Sequence, residues 1–125
     1  MKKNFVISLT MIFVFLFTGC IAQGEESLRA NGSYINFNIS GTSAEGKAAA
    51  GNNHGYDTYI LLTLQYQNSS GAWCYYASTS NSGREASISA SITHGTYRLK
   101  AIITYYDDDG SVAETITLYS NTCSY

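Results

Sequence analysis

Apolar and polar positions alternate with a period of two along much of the chain, the spacing of strands with one buried face. The clearest run is Gly95 to Gly110, GTYRLKAIITYYDDDG. Tyr97, Leu99, Ala101, Ile103 and Tyr105 share one face; Arg98, Lys100, Thr104 and Tyr106 share the other. A Gly opens this strand and an Asp-Asp-Asp-Gly turn closes it. The pattern makes it the central strand of a small sandwich. Tyr34–Ser40 alternates too, with Ile35, Phe37 and Ile39 inward. Residues 41–46 read as a turn, and Lys47–Ala50 as a short, small-sided strand before the loop Gly51–Gly55.

Tyr56–Gln67 is the longest strand, with Thr58, Ile60, Leu62, Leu64 and Tyr66 on its inner face and Leu61 interrupting the polar one. Asn68-Ser69-Ser70-Gly71 turns the chain into Ala72–Ser78, where Trp73 and Tyr75 oppose Cys74 and Tyr76. Thr79–Gly83 reads as a loop. Arg84–Thr93 sets Ala86, Ile88, Ala90 and Ile92 against Ser and Thr, and Val112–Ser120 points Ile116 and Leu118 inward. About seven short strands bounded by turn residues, with no helical period after the first 22 residues, predict an all-β antiparallel sandwich over 34–125.

The start of the chain has another character. Lys2 and Lys3 precede an apolar run from Phe5 to Phe17, then small residues, which is the form of an export signal over 1–22. The run is shorter than the ~20 residues a spanning helix needs. Phe17-Thr18-Gly19-Cys20 resembles the lipobox of bacterial lipoproteins, which makes Cys20 a lipidation candidate. A cut before Cys20 and one after Ala22 both stay open. Residues 23–33 are polar and aperiodic, a flexible lead-in. These features place the domain outside the cell, secreted or lipid-anchored, touching a membrane only through the signal or a lipid.

Composition narrows the partners. The chain holds 7 basic and 9 acidic residues; loss of Lys2 and Lys3 would leave 5 against 9. That balance gives no basis for nucleic-acid binding. Export leaves Cys74 and Cys123 as one expected disulfide, closing a loop of roughly 50 residues, about 4 kcal/mol in the chain-entropy account.

Two resemblances add to this. The spacing Ile92, Gly95, Tyr97, Leu99, Ala101, Tyr105, Asp107, Asp109-Gly110 looks like the late strands of bacterial immunoglobulin-like and fibronectin-type modules. The likeness implies an immunoglobulin-like sandwich with Tyr97 packed at a corner, but without the antibody inter-sheet disulfide. Arg29, Tyr34-Ile35, Thr63-Leu64-Gln65, Gly71-x-Trp73 and Gly95-x-Tyr97-Arg98 are similar to a family of small secreted proteins of Gram-positive bacteria. That likeness implies export and fold, and no activity.

Catalytic chemistry has little to stand on. His54 and His94 lie in Gly-flanked loops, and no H-E-x-x-H, C-x-x-C or G-x-S-x-G is present. No cofactor is expected. Asp107 and Asp109 are weak calcium candidates, since hard cations gather several oxygen ligands; the plainer reading is a turn whose carboxylates cap backbone amides. Tyrosine stands out at 11 residues. Tyr34, Tyr59, Tyr76, Tyr106 and Tyr119 fall on expected outer faces, where ring area with a polar handle suits protein or sugar binding. With Trp73, the residues Tyr59, Tyr76 and Tyr106 form the expected binding surface. The function expected is therefore non-enzymatic binding of an extracellular protein or glycan. The alternatives are self-assembly through an exposed strand edge, or a small secreted inhibitor or toxin.

Overall fold

A computed structural model describes residues 32–51 and 56–125. The expected signal over 1–22 with Cys20, Arg29, most of the expected lead-in, and His54 lie outside the described residues. The elements are β1 (Tyr34–Ser40), β2 (Ser43–Ala49), β3 (Asp57–Gln67), β4 (Trp73–Ser82), β5 (Glu85–Ser91), β6 (Thr96–Tyr106), β7 (Val112–Tyr119) and β8 (Cys123–Ser124). Alternating apolar residues demand a buried face, and two sheets supply it to each other. One has the order β1-β2-β5; the other runs β4-β3-β6-β7, with β8 also paired to β6. All pairings are antiparallel.

The core between the sheets is what the alternation predicts. Ile35, Phe37 and Ile39 from β1 meet Ile60, Leu62 and Leu64 from β3, and Leu99, Ala101, Ile103 and Tyr105 from β6. β6 is interior to its sheet and buries its whole inner face, Tyr97 through Tyr105. The Tyr97 hydroxyl donates to the Thr93 carbonyl at 3.0 Å, tying the start of β6 to the segment before it. Tyr105 is 1% exposed, and its hydroxyl lies 2.9 Å from Ser33 Oγ, which accepts from the Gly51 amide at 2.8 Å. A buried polar group held this way avoids the penalty of an unmade bond.

Three expectations are corrected. β2 begins at Ser43, so only residues 41–42 turn, with Gly41 at φ 60°. Its inner positions are Ala44, Gly46 and Ala48, too small to register as an apolar face. Residues 79–82 belong to β4 rather than to a loop. Their Ser, Thr and Asn content suits a strand with β3 as its only sheet neighbour.

The third correction is the disulfide. Cys74 is a free thiol. Cys74 faces Tyr66, Tyr66 faces Tyr97, and Tyr97 faces Cys123, so the two cysteines lie in one row across four strands. Three strand gaps put them about 14 Å apart, twice the ~7 Å beyond which Cα atoms cannot be bridged. Cys123 is buried at 1% and is not free. Cys74 instead accepts from Asn68 Nδ2 at 3.5 Å.

Candidate binding face

The register of the larger sheet fixes which side chains share its outer face. From β4 come Trp73, Tyr75, Ser78 and Ser80; from β3, Asp57, Tyr59, Leu61, Thr63 and Gln65; from β6, Arg98, Lys100, Ile102, Thr104 and Tyr106; from β7, Thr115, Thr117 and Tyr119. Leu61 and Ile102 are half-buried at its centre, ringed by hydroxyls. The smaller sheet packs on the opposite face.

Aromatic groups gather at the two ends. At one end Tyr59 and Tyr106 line a cleft of about 490 Å³ with Tyr56, Asp57 and Arg84. Arg84 is held there by the carbonyls of Ala50 and Gly51, at 3.4 and 3.2 Å. Thr58 closes the floor by donating to the Gly83 carbonyl. The structure therefore brings Tyr59 and Tyr106 together, as residues neighbouring across β3 and β6.

At the other end the Arg98 guanidinium lies 4.3 Å from the Trp73 ring centroid and 4.4 Å from that of Tyr119. The ring faces attract the cation through their quadrupoles. Gln65 Oε1 accepts from Arg98 Nε at 2.8 Å and fixes the plane. Lys100 stands 5.9 Å from the same Tyr119 ring. Burial lowers the Arg98 pKa from its ordinary value, and the neighbouring Tyr119 acts in the other direction. Tyr75, 66% exposed, extends the platform beside Trp73.

Tyr76 does not belong to this face. It follows outward-facing Tyr75 and so turns inward with Cys74; the bulge opposite Leu64 and Gln65 then sets Ala77 on the inner side as well. The Tyr76 ring meets Tyr97 edge-on at 5.4 Å and Tyr66 at 6.2 Å, and its hydroxyl donates to the Ser91 carbonyl at 2.7 Å. It closes the seam between the sheets. Arg98, Gln65 and Lys100 are the residues sequence reading passes over. Arg98 and Lys100 show only as polar alternates of a core strand, and nothing local places Trp73 or Tyr119 beside them.

The acidic turn after β6 brings its carboxylates together. Ser111 Oγ donates toward Asp107 at 2.9 and 3.0 Å and toward Asp109 at 2.7 Å, and the Ser111 amide donates to Asp109 at 2.9 Å. Among the described residues no three His, Cys, Asp or Glu side chains gather as a metal site would require. Hydrogen bonds from the Asp107 side chain, then from Ser111, hold the Asp109 carboxyl down at about 2. A depressed carboxylate pKa favours the folded state above the ordinary value of ~3.9 and loses that effect as pH falls through the folded one. Side-chain carboxyl NMR is expected to find Asp109 ionised at pH 3, and Ser111→Ala to move its midpoint upward. An unchanged midpoint in that variant would remove the serine from the account.

His94 is spent on structure. Its ring stacks on Tyr125 at 4.4 Å, and its Nδ1 lies 3.1 Å from the Tyr125 carbonyl oxygen. No protein-family model matches the chain, and no curated protein or solved structure is found similar to it.

Proposed function

We propose that the protein is an exported, non-enzymatic binding module of immunoglobulin-like build, with its ligand on the outer face of the larger sheet. The first, second and fifth strands on one side and the fourth, third, sixth and seventh on the other suit that build. The Tyr97 hydroxyl bonded four residues upstream, near the start of the sixth strand, suits the tyrosine corner of such sandwiches. The basic, apolar and small-residue order of 1–22, and the likeness to small secreted Gram-positive proteins, support export.

One observation carries the binding reading. Most aromatics of the larger sheet divide by face: Tyr97 and Tyr105 are buried in the core and Tyr66, on the same side, is 36% exposed at its end, whereas Tyr59, Tyr106, Trp73, Tyr75 and Tyr119 line a face that no described element covers. Rings of this kind dominate recognition surfaces because they offer large area at small entropic cost. Tyr59→Ala combined with Tyr106→Ala is expected to abolish binding on a glycan array. Stability should shift by no more than ~0.5 kcal/mol per site, as for surface changes in general. If the double variant merely unfolds, the two rings are core and the face is not a binding surface. Size-exclusion chromatography separates this from self-assembly, which would give a concentration-dependent elution volume.

A further inference from the structure

The cationic end of the outer face is out of keeping with the rest of the molecule. The chain has more acid than base, yet Arg98 and Lys100 sit one pleat apart on the same face. The ion pair among the described residues is Lys47 with Glu85, on the other sheet. The carboxylate that shares this face is Asp57, eight residues along β3 from Gln65, or about 26 Å at strand rise. Among the described residues Arg98 is thus a cation without a carboxylate partner, and its geometry is preset. Trp73 and Tyr119 lie against the guanidinium, and Gln65 Oε1 accepts the hydrogen bond from its Nε–H. Among the described residues, the hydrogen bond that holds the guanidinium is that from Nε to Gln65, which leaves its terminal N–H groups to a ligand. A guanidinium so fixed presents paired donors to a planar anion with little ordering left to do.

We propose that Arg98, stacked between Trp73 and Tyr119 and backed by Lys100, is a subsite for the carboxylate of an acidic sugar, so that the ligand of this face is a uronate-containing glycan. This rests on the reading of the face as a binding surface. The carboxylate bridges the Arg98 fork and the Lys100 ammonium. The sugar's C–H face lies on Tyr75, and its hydroxyls meet the Ser and Thr rows of the sheet. An acidic protein is the poorer fit. The cluster crosses three strand gaps, about 14 Å, so a patch of that width covers only on the order of 200 Å², against the ~800 Å² per partner of a stable protein interface. Trp, Tyr and Arg at the cluster would suit either partner, but the surface between the two aromatic ends is rich in Ser and Thr, and Ser is depleted in protein interfaces.

The test uses the mature chain and three soluble uronates: polygalacturonate, alginate and hyaluronate. Fully methyl-esterified polygalacturonate and poly-L-glutamate are the comparators, all followed by isothermal titration calorimetry. Binding to at least one uronate is expected, weakening with added salt as exposed charge pairs do. The methyl ester, which keeps the backbone and loses the charge, should not bind. Arg98→Gln should weaken uronate binding at least about tenfold, the size of a charge-assisted bond, in a domain that still unfolds cooperatively in urea at a modestly lower midpoint. Arg98→Lys keeps the charge without the fork and should fall between. Equal binding of polygalacturonate and its methyl ester overturns the acidic-sugar assignment and leaves the binding face standing. So does binding of poly-L-glutamate alone, which would make the partner an acidic protein. Failure of all three uronates overturns the proposal; the Tyr59 and Tyr106 experiment then decides separately whether the face binds anything.

Discussion

Gly46→Ala is expected to destabilise the domain by about 1–3 kcal/mol, although it adds one methyl group to a strand that already prefers alanine. Gly46 lies in the middle of β2 opposite Phe37, on the inner face. A Cβ built there would meet Leu99 Cδ1 at 2.0 Å, Leu99 Cγ at 3.2 Å and the Asn36 carbonyl oxygen at 2.9 Å. Leu99 comes from the opposite sheet and is fully buried, so its methyl has no free volume to enter. The carbonyl belongs to the ladder of β1 and cannot yield without breaking it. Leu99→Ala alone leaves a cavity and should cost about 2–5 kcal/mol. The two changes together should cost less than their sum, because the truncated side chain makes room for the new methyl. The coupling expected of residues in contact is 0.5–3 kcal/mol. Urea denaturation of the parent, both single variants and the double variant measures it from the midpoints, provided the slope is unchanged. Strict additivity would mean that the sheets do not meet at this pair.

The same pair shows what could be read from the chain and what could not. The bounds of β1 and β6 match the alternation of residues 34–40 and 96–106 because their inner positions are large and their outer ones polar. β2 is legible only at its end, because the position facing Leu99 must be the smallest residue there is. Pattern reading sees apolar bulk, and here the sheets approach through its absence. Residues 79–82 fail for another reason: an edge strand tolerates polar side chains on both faces, so alternation fades. Tyr76 is separable from Tyr59 and Tyr106, since alternation alone sets it beside Cys74 and opposite Trp73 and Tyr75; the bulge changes the facing only from Ala77 onward. The disulfide and the Arg98 cluster share a single cause. Both depend on which residues the register brings near one another across four strands, and cross-sheet register is a property of the fold rather than of any local stretch. Trp73 and Arg98 lie on the two rows that flank the Cys74–Cys123 row, and Tyr119 pairs two rows beyond Arg98, with Lys100.

Tyr105→Ala should cost about 3–5 kcal/mol, the range for deleting a buried aromatic ring, whereas Tyr75→Ala should stay within ~0.5 kcal/mol. The contrast follows from burial: Tyr105 is 1% exposed and Tyr75 is 66% exposed. Removal of the Tyr105 ring also takes away the hydroxyl that meets Ser33, a side chain that is itself 0% exposed. Tyr105→Phe isolates that bond and should cost about 0.5–1.5 kcal/mol, the net worth of one hydrogen bond. Urea midpoints on the three variants give the comparison, with Tyr75→Ala also titrated against polygalacturonate. If the larger sheet has one face for cohesion and one for contact, stability and binding must segregate between these residues. Tyr105 variants would then lose stability and keep affinity per folded molecule, and Tyr75→Ala the reverse. A Tyr75→Ala variant as unstable as Tyr105→Ala would put that ring in a core. The exposed aromatic face, and every binding role argued from it, would go with it.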